Sequence, residues 1–381
     1  MELTRKQLLA GGAAALALAG CGSKQRPARA AVAYGLDPAL RHFDAFLFSA
    51  HPEPVRDAIE RHRRGLDAGA ATYLHEHQAE LERAVASEAA KYLGVGASEL
   101  AFTDSTTMGL GLVYRGLLGP GDEVLTTEHD HYATHEALRL SGAIVRKVRL
   151  YDDPATATAD GMLGALREAI TPRTKVVALT WVHSGTGVKV PVERLDVAPT
   201  VVVDGVHALA AVEPRLAGDV FVAGTHKWLS GPRGTGLIWT GDWRAIAATI
   251  PSFDPSSDPG PRFTPGGWHS FEHRWALAEA FAHHPADAPR QITALATQLK
   301  DGLAKLPHVR LITPRDPAVS AGIVCFEVDG MDAETVVSRL LEHRIRASVT
   351  PYAQQYARLG TSLHVDAADV DAAIETISTF S

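Results

Sequence analysis

The sequence predicts an α/β protein, with a largely parallel central sheet flanked by helices and a smaller α/β domain at the C-terminal end. Two observations carry that prediction. From Phe43 onward, helical patterns alternate with short β-rich runs, as parallel strands joined by crossover helices require. The chain is 381 residues long, more than one small core organises, so two domains are expected.

The first segment, 1–21, is an address and not part of the fold. Arg5 and Lys6 precede an apolar stretch, 8–19, of signal-peptide length that is too short to cross a bilayer comfortably. It ends in Leu18-Ala19-Gly20-Cys21, which resembles a bacterial lipoprotein box that would leave Cys21 lipid-modified at a new N-terminus. Thr4-Arg5-Lys6-Gln7-Leu8-Leu9 resembles a weakened twin-arginine signal, a route for proteins already folded. The expectation is an exported protein of the periplasm or cell envelope, tethered through a polar segment, 22–42.

Within a large domain assigned to 43–250, helices are predicted at 75–93, stopped by Gly94, and at 107–118, stopped by Gly119-Pro120-Gly121. Strands are predicted at 123–126, 143–150, 175–181, 200–203, 219–222 and 236–239. A run rich in Pro, Ser, Asp and Gly, 251–267, marks a domain boundary or a mobile loop at the site. The small domain, 251–381, then holds helices at 273–284, 286–306, 332–343 and 367–379 with strands at 309–312 and 321–328. The N-terminal segment of the large domain is free to pack on this second unit.

A net charge of -7 provides no basic surface for a phosphate backbone, which argues against nucleic-acid binding. Of the two cysteines, Cys325 lies in the apolar run 321–328 and reads as a small buried hydrophobe, so neither a disulfide framework nor a cysteine metal site follows. His131 and His135 share a helical face, yet nothing completes a metal-ligand set around them, and no metal is expected.

Two strand ends carry the chemistry. The run Val201-Val202-Val203-Asp204 leads into Gly205-Val206-His207, placing a carboxylate at the carboxyl end of a buried parallel strand, where α/β sheets bind ligands. Val220-Phe221-Val222-Ala223 leads into Gly224-Thr225-His226-Lys227, placing an amine at a second strand end. An aldehyde cofactor with a basic ring nitrogen needs both: the amine to form an imine, the carboxylate to keep the pyridine protonated. Lys227 and Asp204 fit these two jobs.

The run from Asp204 to His207, followed by Gly224-Thr225-His226-Lys227-Trp228-Leu229-Ser230-Gly231-Pro232-Arg233-Gly234-Thr235-Gly236, resembles the class V aminotransferases, and within them the isopenicillin N epimerase-like branch that includes exported siderophore-maturation enzymes. The resemblance covers nearly the whole mature chain. It implies the fold type I, aspartate aminotransferase-like architecture and pyridoxal 5'-phosphate held on Lys227 as a Schiff base. It also implies phosphate ligands at Thr106 and Thr107, beside Thr225 and His226, at the start of a helix whose dipole attracts anions. The family's aromatic ring on the pyridine falls to Tyr132, then to His131. Ser184 stands where an asparagine often contacts the ring hydroxyl, which leaves His207 as the better donor to that oxygen. Arg358 matches the arginine that grips the substrate α-carboxylate through two parallel hydrogen bonds. Ser270, in the stretch 266–274, matches a loop that a second subunit lends to the phosphate, so a homodimer is implied.

Cysteine desulfurases on this scaffold need a mobile cysteine ahead of the carboxylate arginine, and the segment 347–358 has none. Transamination, epimerisation and side-chain elimination stay open, with the freed Lys227 amine as base. Rivals of other classes are a lipid-anchored binding protein that has lost catalysis and a histidine-based metallohydrolase.

Overall fold

The computed structural model describes residues 34–253 and 258–380. The signal, Cys21 and most of the tether lie outside the described residues. In chain order the elements are β1 (Arg41–His42), α1 (Glu53–Leu93), β2 (Leu100–Thr103), α2 (Thr106–Leu117), β3 (Glu123–Thr127), α3 (Tyr132–Ser141), β4 (Ile144–Val148), α4 (Ala159–Ala169), β5 (Thr174–Thr180), β6 (Thr200–Asp204), β7 (Val220–Gly224) and β8 (Gly236–Thr240). There follow α5 (Phe271–His283), α6 (Ala288–Leu303), β9 (Val309–Leu311), β10 (Ile323–Val328), α7 (Ala333–Glu342), β11 (Ile345–Arg346), β12 (Ser348–Val349), β13 (Ala357–Gly360) and α8 (Ala367–Ser378).

The central sheet has seven strands in the order β2-β8-β7-β6-β5-β3-β4. Strands β7, β6, β5, β3 and β4 run parallel, while β8 is antiparallel to both its neighbours. Central strands β6 and β7 are buried along almost their whole length, as expected where helices cover both faces of a sheet. Every predicted strand from 123 to 239 appears within a residue or two. β4 is shorter than predicted, because its flanking residues leave the ladder.

The helix predicted at 75–93 is the second arm of a longer element. α1 starts at Glu53 and leaves helical geometry at Gly69 (φ 179°, ψ 77°). There the chain doubles back, and His62 Nδ1 meets Tyr73 Oη at 3.0 Å. The first arm carries many Arg and Glu residues whose i,i+3 and i,i+4 pairs, such as Arg63 and Arg64 with Glu60, support an exposed helix with little apolar periodicity to announce it.

A second sheet, β12-β13-β10-β9, is antiparallel and is covered by α6, α7 and α8. The N-terminal β1 pairs in parallel with β11, and Phe43 sits in the core of this smaller unit. Helix α5 follows the boundary drawn at residue 251, yet it packs along α1, with Trp275 Nε1 donating to Glu82 at 3.0 Å.

Candidate active site

The parallel strands point their carboxyl ends at one cleft. Asp204 ends β6 and is 1% exposed, and its Oδ1 accepts from Val206 N at 3.1 Å. The next residue must be Gly205, since a Cβ there would stand 1.9 Å from the Phe221 ring. Burial raises the Asp204 carboxyl to about 6, against the opposing pull of Val206 N–H and the Lys227 charge. Lys227 follows β7, and its Nζ lies 3.1 Å from His207 Nε2. Burial lowers that amine to about 8, with Arg358 pushing the same way and Asp204 opposing. The unprotonated amine, the form that captures a carbonyl, is therefore far more populated near neutrality than in an ordinary lysine.

His207 is buried and its basicity falls well below the usual value, chiefly by desolvation. Its Nε2 meets the lysine amine, and its Nδ1 is buried with no partner among the described residues.

At the N-terminus of α2, Ser105 caps the helix by accepting from Met108 N at 3.1 Å. Thr106 Oγ1 accepts from Gly224 N at 2.7 Å, and a Cβ on Gly224 would come within 3.0 Å of both Thr106 Oγ1 and His226 Cε1. Thr106 and His226 thus converge on one small cradle at a helix start, with Thr107 exposed on the first turn. Thr225 does not join them. Its hydroxyl faces inward to Thr235 Oγ1 and the Pro232 carbonyl, so it shapes the lysine turn.

The preference for Tyr132 over His131 is reversed by burial. Tyr132 is 61% exposed. His131 is half-buried, caps α3 through Nδ1 to Ala133 N at 3.2 Å, and is lowered to about 4 by burial and by the charges of Lys227 and Arg358. Its ring is the one inside the cleft. Beneath it, Asp130 accepts from Thr126 Oγ1 at 2.7 Å, Thr127 N at 2.7 Å and Thr180 N at 2.6 Å, tying β3 to β5. Sequence reading missed this residue, although a Thr-Thr-x-x-Asp turn at a strand end signals such a bond. His135 is occupied as well, with Nε2 against the Thr127 carbonyl at 2.8 Å.

On the other side of the cleft, Arg358 on β13 is 3% exposed. Its Nε donates to Ser348 Oγ at 2.8 Å, its Nη1 to the Ser184 carbonyl at 2.7 Å, and its guanidinium lies 4.6 Å over the Phe46 ring. Burial lowers its pKa but leaves a fixed cation. Ser184 Oγ lies 2.6 Å from Tyr352 Oη, a second residue missed in the sequence. Ser270 stands at the exposed start of α5 and caps nothing. Within α5, Arg274 pairs with Glu82 at 3.2 Å, and the loop before Ser270 leaves Trp268 84% exposed. Cys325 is fully buried in β10, its thiol pushed up to about 12, which removes it as a nucleophile.

The donor set fits pyridoxal phosphate. An amine, a carboxylate at a neighbouring strand end, a neutral ring beside them, and hydroxyls at a helix N-terminus are what its aldehyde, ring nitrogen, ring face and phosphate each require.

Comparison with known proteins agrees. The chain is 29% identical over 218 residues to isopenicillin N epimerase of Amycolatopsis lactamdurans, covering 53% of this chain and 54% of that one. It is 28% identical over 221 residues to a probable cysteine desulfurase of Vibrio cholerae, covering 52% and 53%. The chain thus spans about half the length of these relatives. The solved complex of the cystine C-S lyase C-DES with its reaction product cysteine persulfide superposes with a TM-score of 0.80 at 22% identity, over 90% of this chain and 98% of that one, a likeness of fold. The aminotransferase class-V family model matches residues 48–249, the segment that runs from the start of α1 through both chemical strand ends to β8, so the chain belongs to the class V aminotransferase family of pyridoxal-phosphate enzymes.

Proposed function

We propose that this enzyme acts at the α-carbon of an amino acid or a peptidyl amino acid, with Lys227 holding pyridoxal phosphate and serving as the base. The observation that carries the reading is the Lys227 amine, 3.1 Å from His207 and lowered to about 8, beside the buried Asp204. When bound, the cofactor supplies the electron sink that acidifies the Cα–H bond. Asp204 would keep its ring nitrogen protonated, His131 would cover its ring, and Thr106, Thr107 and His226 would hold its phosphate. His207, neutral and in contact with Lys227 Nζ, can take or return the lysine proton. Arg358 would hold the substrate carboxylate.

The relatives are named for epimerisation and for cysteine desulfuration. The buried Cys325 and a cysteine-free segment 347–358 favour transamination, epimerisation or elimination over the persulfide route. The lipobox at Cys21 and the signal before it support export and anchoring at the cell envelope, and the exposed Trp268 and Ser270 support a homodimer that shares the 266–274 loop.

Borohydride reduction of the cofactor-loaded protein, followed by peptide mapping, is expected to label Lys227, and Lys227→Ala to lose both label and cofactor absorbance. An unlabelled Lys227 would overturn the reading. Incubation with L- and D-amino acids and peptides, scored for keto acid, racemisation and elimination products, separates the three reactions.

A further inference from the structure

A guanidinium grips a carboxylate most strongly through two parallel N–H donors along one edge. In this cleft Arg358 is already engaged on two of its nitrogens, Nε to Ser348 Oγ at 2.8 Å and Nη1 to the Ser184 carbonyl at 2.7 Å. Nη2 is the nitrogen left with no protein partner among the described residues. These bonds aim the cation and commit one donor on Nε and one on Nη1, so a further donor placed beside Nη2 would complete a two-oxygen grip on a carboxylate.

A phenol on the same side of the cleft is tied to the same serine. Ser184 holds Arg358 through its carbonyl, and its hydroxyl lies 2.6 Å from Tyr352 Oη. The Tyr352 ring lies against Gly185, where an added Cβ would approach it to 2.9 Å, so a side chain at 185 would displace the phenol. Tyr352 rides on the loop between β12 and β13, the strands that carry Ser348 and Arg358. Thr350 closes that loop, its Oγ1 donating to the Gln354 carbonyl at 3.2 Å and accepting from Tyr356 N at 2.9 Å. Ser184 follows β5, Asp204 ends β6 and Lys227 follows β7, so the serine that holds Tyr352 comes off the strand on the far side of Asp204 from the lysine strand.

We propose that the Tyr352 phenol is the second donor to the substrate α-carboxylate, which it shares with Arg358. It rests on the reading of the cleft as an α-amino-acid site. Ser184 Oγ orients the phenol while the site is empty, and the phenolic O–H turns to one carboxylate oxygen as the other meets Nη2. The grip then discriminates between α-amino acids and amines that lack the carboxylate.

The test uses the full chain loaded with pyridoxal phosphate and two probes, glycine and methylamine, each titrated by the change in cofactor absorbance. Tyr352→Phe is expected to weaken glycine by about 10- to 100-fold, as loss of a hydrogen bond to a charged group does, and to leave methylamine unchanged. Equal glycine affinity in both proteins overturns the proposal, and so does equal weakening of both probes, which marks a merely disturbed loop. A second variant, Tyr352→Cys on a Cys21→Ser background, reads the contact directly. Iodoacetamide should alkylate position 352 and spare the buried Cys325, with glycine slowing the reaction and methylamine not. Alkylation indifferent to glycine overturns it too. Wild-type protein that takes up no cofactor sinks the function proposed above, whereas normal uptake with an indifferent Tyr352 sinks this inference alone.

Discussion

The residue that most clearly trades stability for function is Asp204. Its folded pKa of about 6 exceeds the ordinary 3.8, so the folded cofactor-free chain binds that proton more tightly than the unfolded chain. The cost of the charge is absent below about 4, grows as pH rises through 6, and stays present above it. Asp204→Asn is therefore expected to raise the melting temperature of cofactor-free protein by a few degrees at about pH 8, to change it little at about pH 4, and to lose the cofactor band. Thermal melts at both pH values check the sign. His131 and Tyr132 allow a second comparison at this scale. Loss of the stacked ring in His131→Ala should weaken cofactor retention by about 10-fold, while Tyr132→Ala, truncating a side chain that is 61% exposed, should change it far less. Equilibrium dialysis of pyridoxal phosphate against each variant decides between them.

Among the elements, the joint between α2 and β7 matters most to the cradle. Thr106→Val keeps the shape and removes the acceptor for Gly224 N, so a buried donor is left unmet at a cost of about 1–3 kcal/mol. Melting of the cofactor-free variant should show that loss, and Ser105→Ala, which removes only the helix cap, about 1 kcal/mol. The elements also explain what was legible in advance. The buried strands β5, β6 and β7 announce themselves as apolar runs, two of them leading to Asp204 and Lys227, because a parallel sheet covered on both faces buries branched residues in near-continuous rows. Tyr352 was not legible, since its bond to Ser184 joins segments far apart in sequence, whereas Asp130 was overlooked in a local turn and the inward rotation of Thr225 is set by its bond to Thr235 across the lysine turn. The first arm of α1 was missed for the opposite reason: charged residues hold it locally, and they leave no apolar stripe to read.

For the whole molecule, two of the exposed aromatics lie on the segment after the 251 boundary, with Phe253 75% and Trp268 84% exposed. Isolated exposed aromatics need no explanation, yet two on one loop next to Ser270 suit burial by a second copy. Trp268→Asp is expected to convert a dimer to a monomer in sedimentation velocity and to weaken cofactor binding, since each cleft would lose the neighbour's loop. A monomeric wild type would remove the shared-site reading while leaving Lys227 and Asp204 untouched.

The entry of the chain has a mechanical consequence. β1 is knitted to β11, the Phe43 carbonyl accepts from Gly360 N at 2.7 Å, and Phe46 lies under the Arg358 guanidinium, all before the polypeptide reaches the half that carries Lys227. Any force applied at the leading end is thus delivered to the carboxylate-gripping half, and the lysine half feels it second. A pull on that end would load the carboxylate grip at Phe43 and Phe46 before it reached the lysine turn through Ser49.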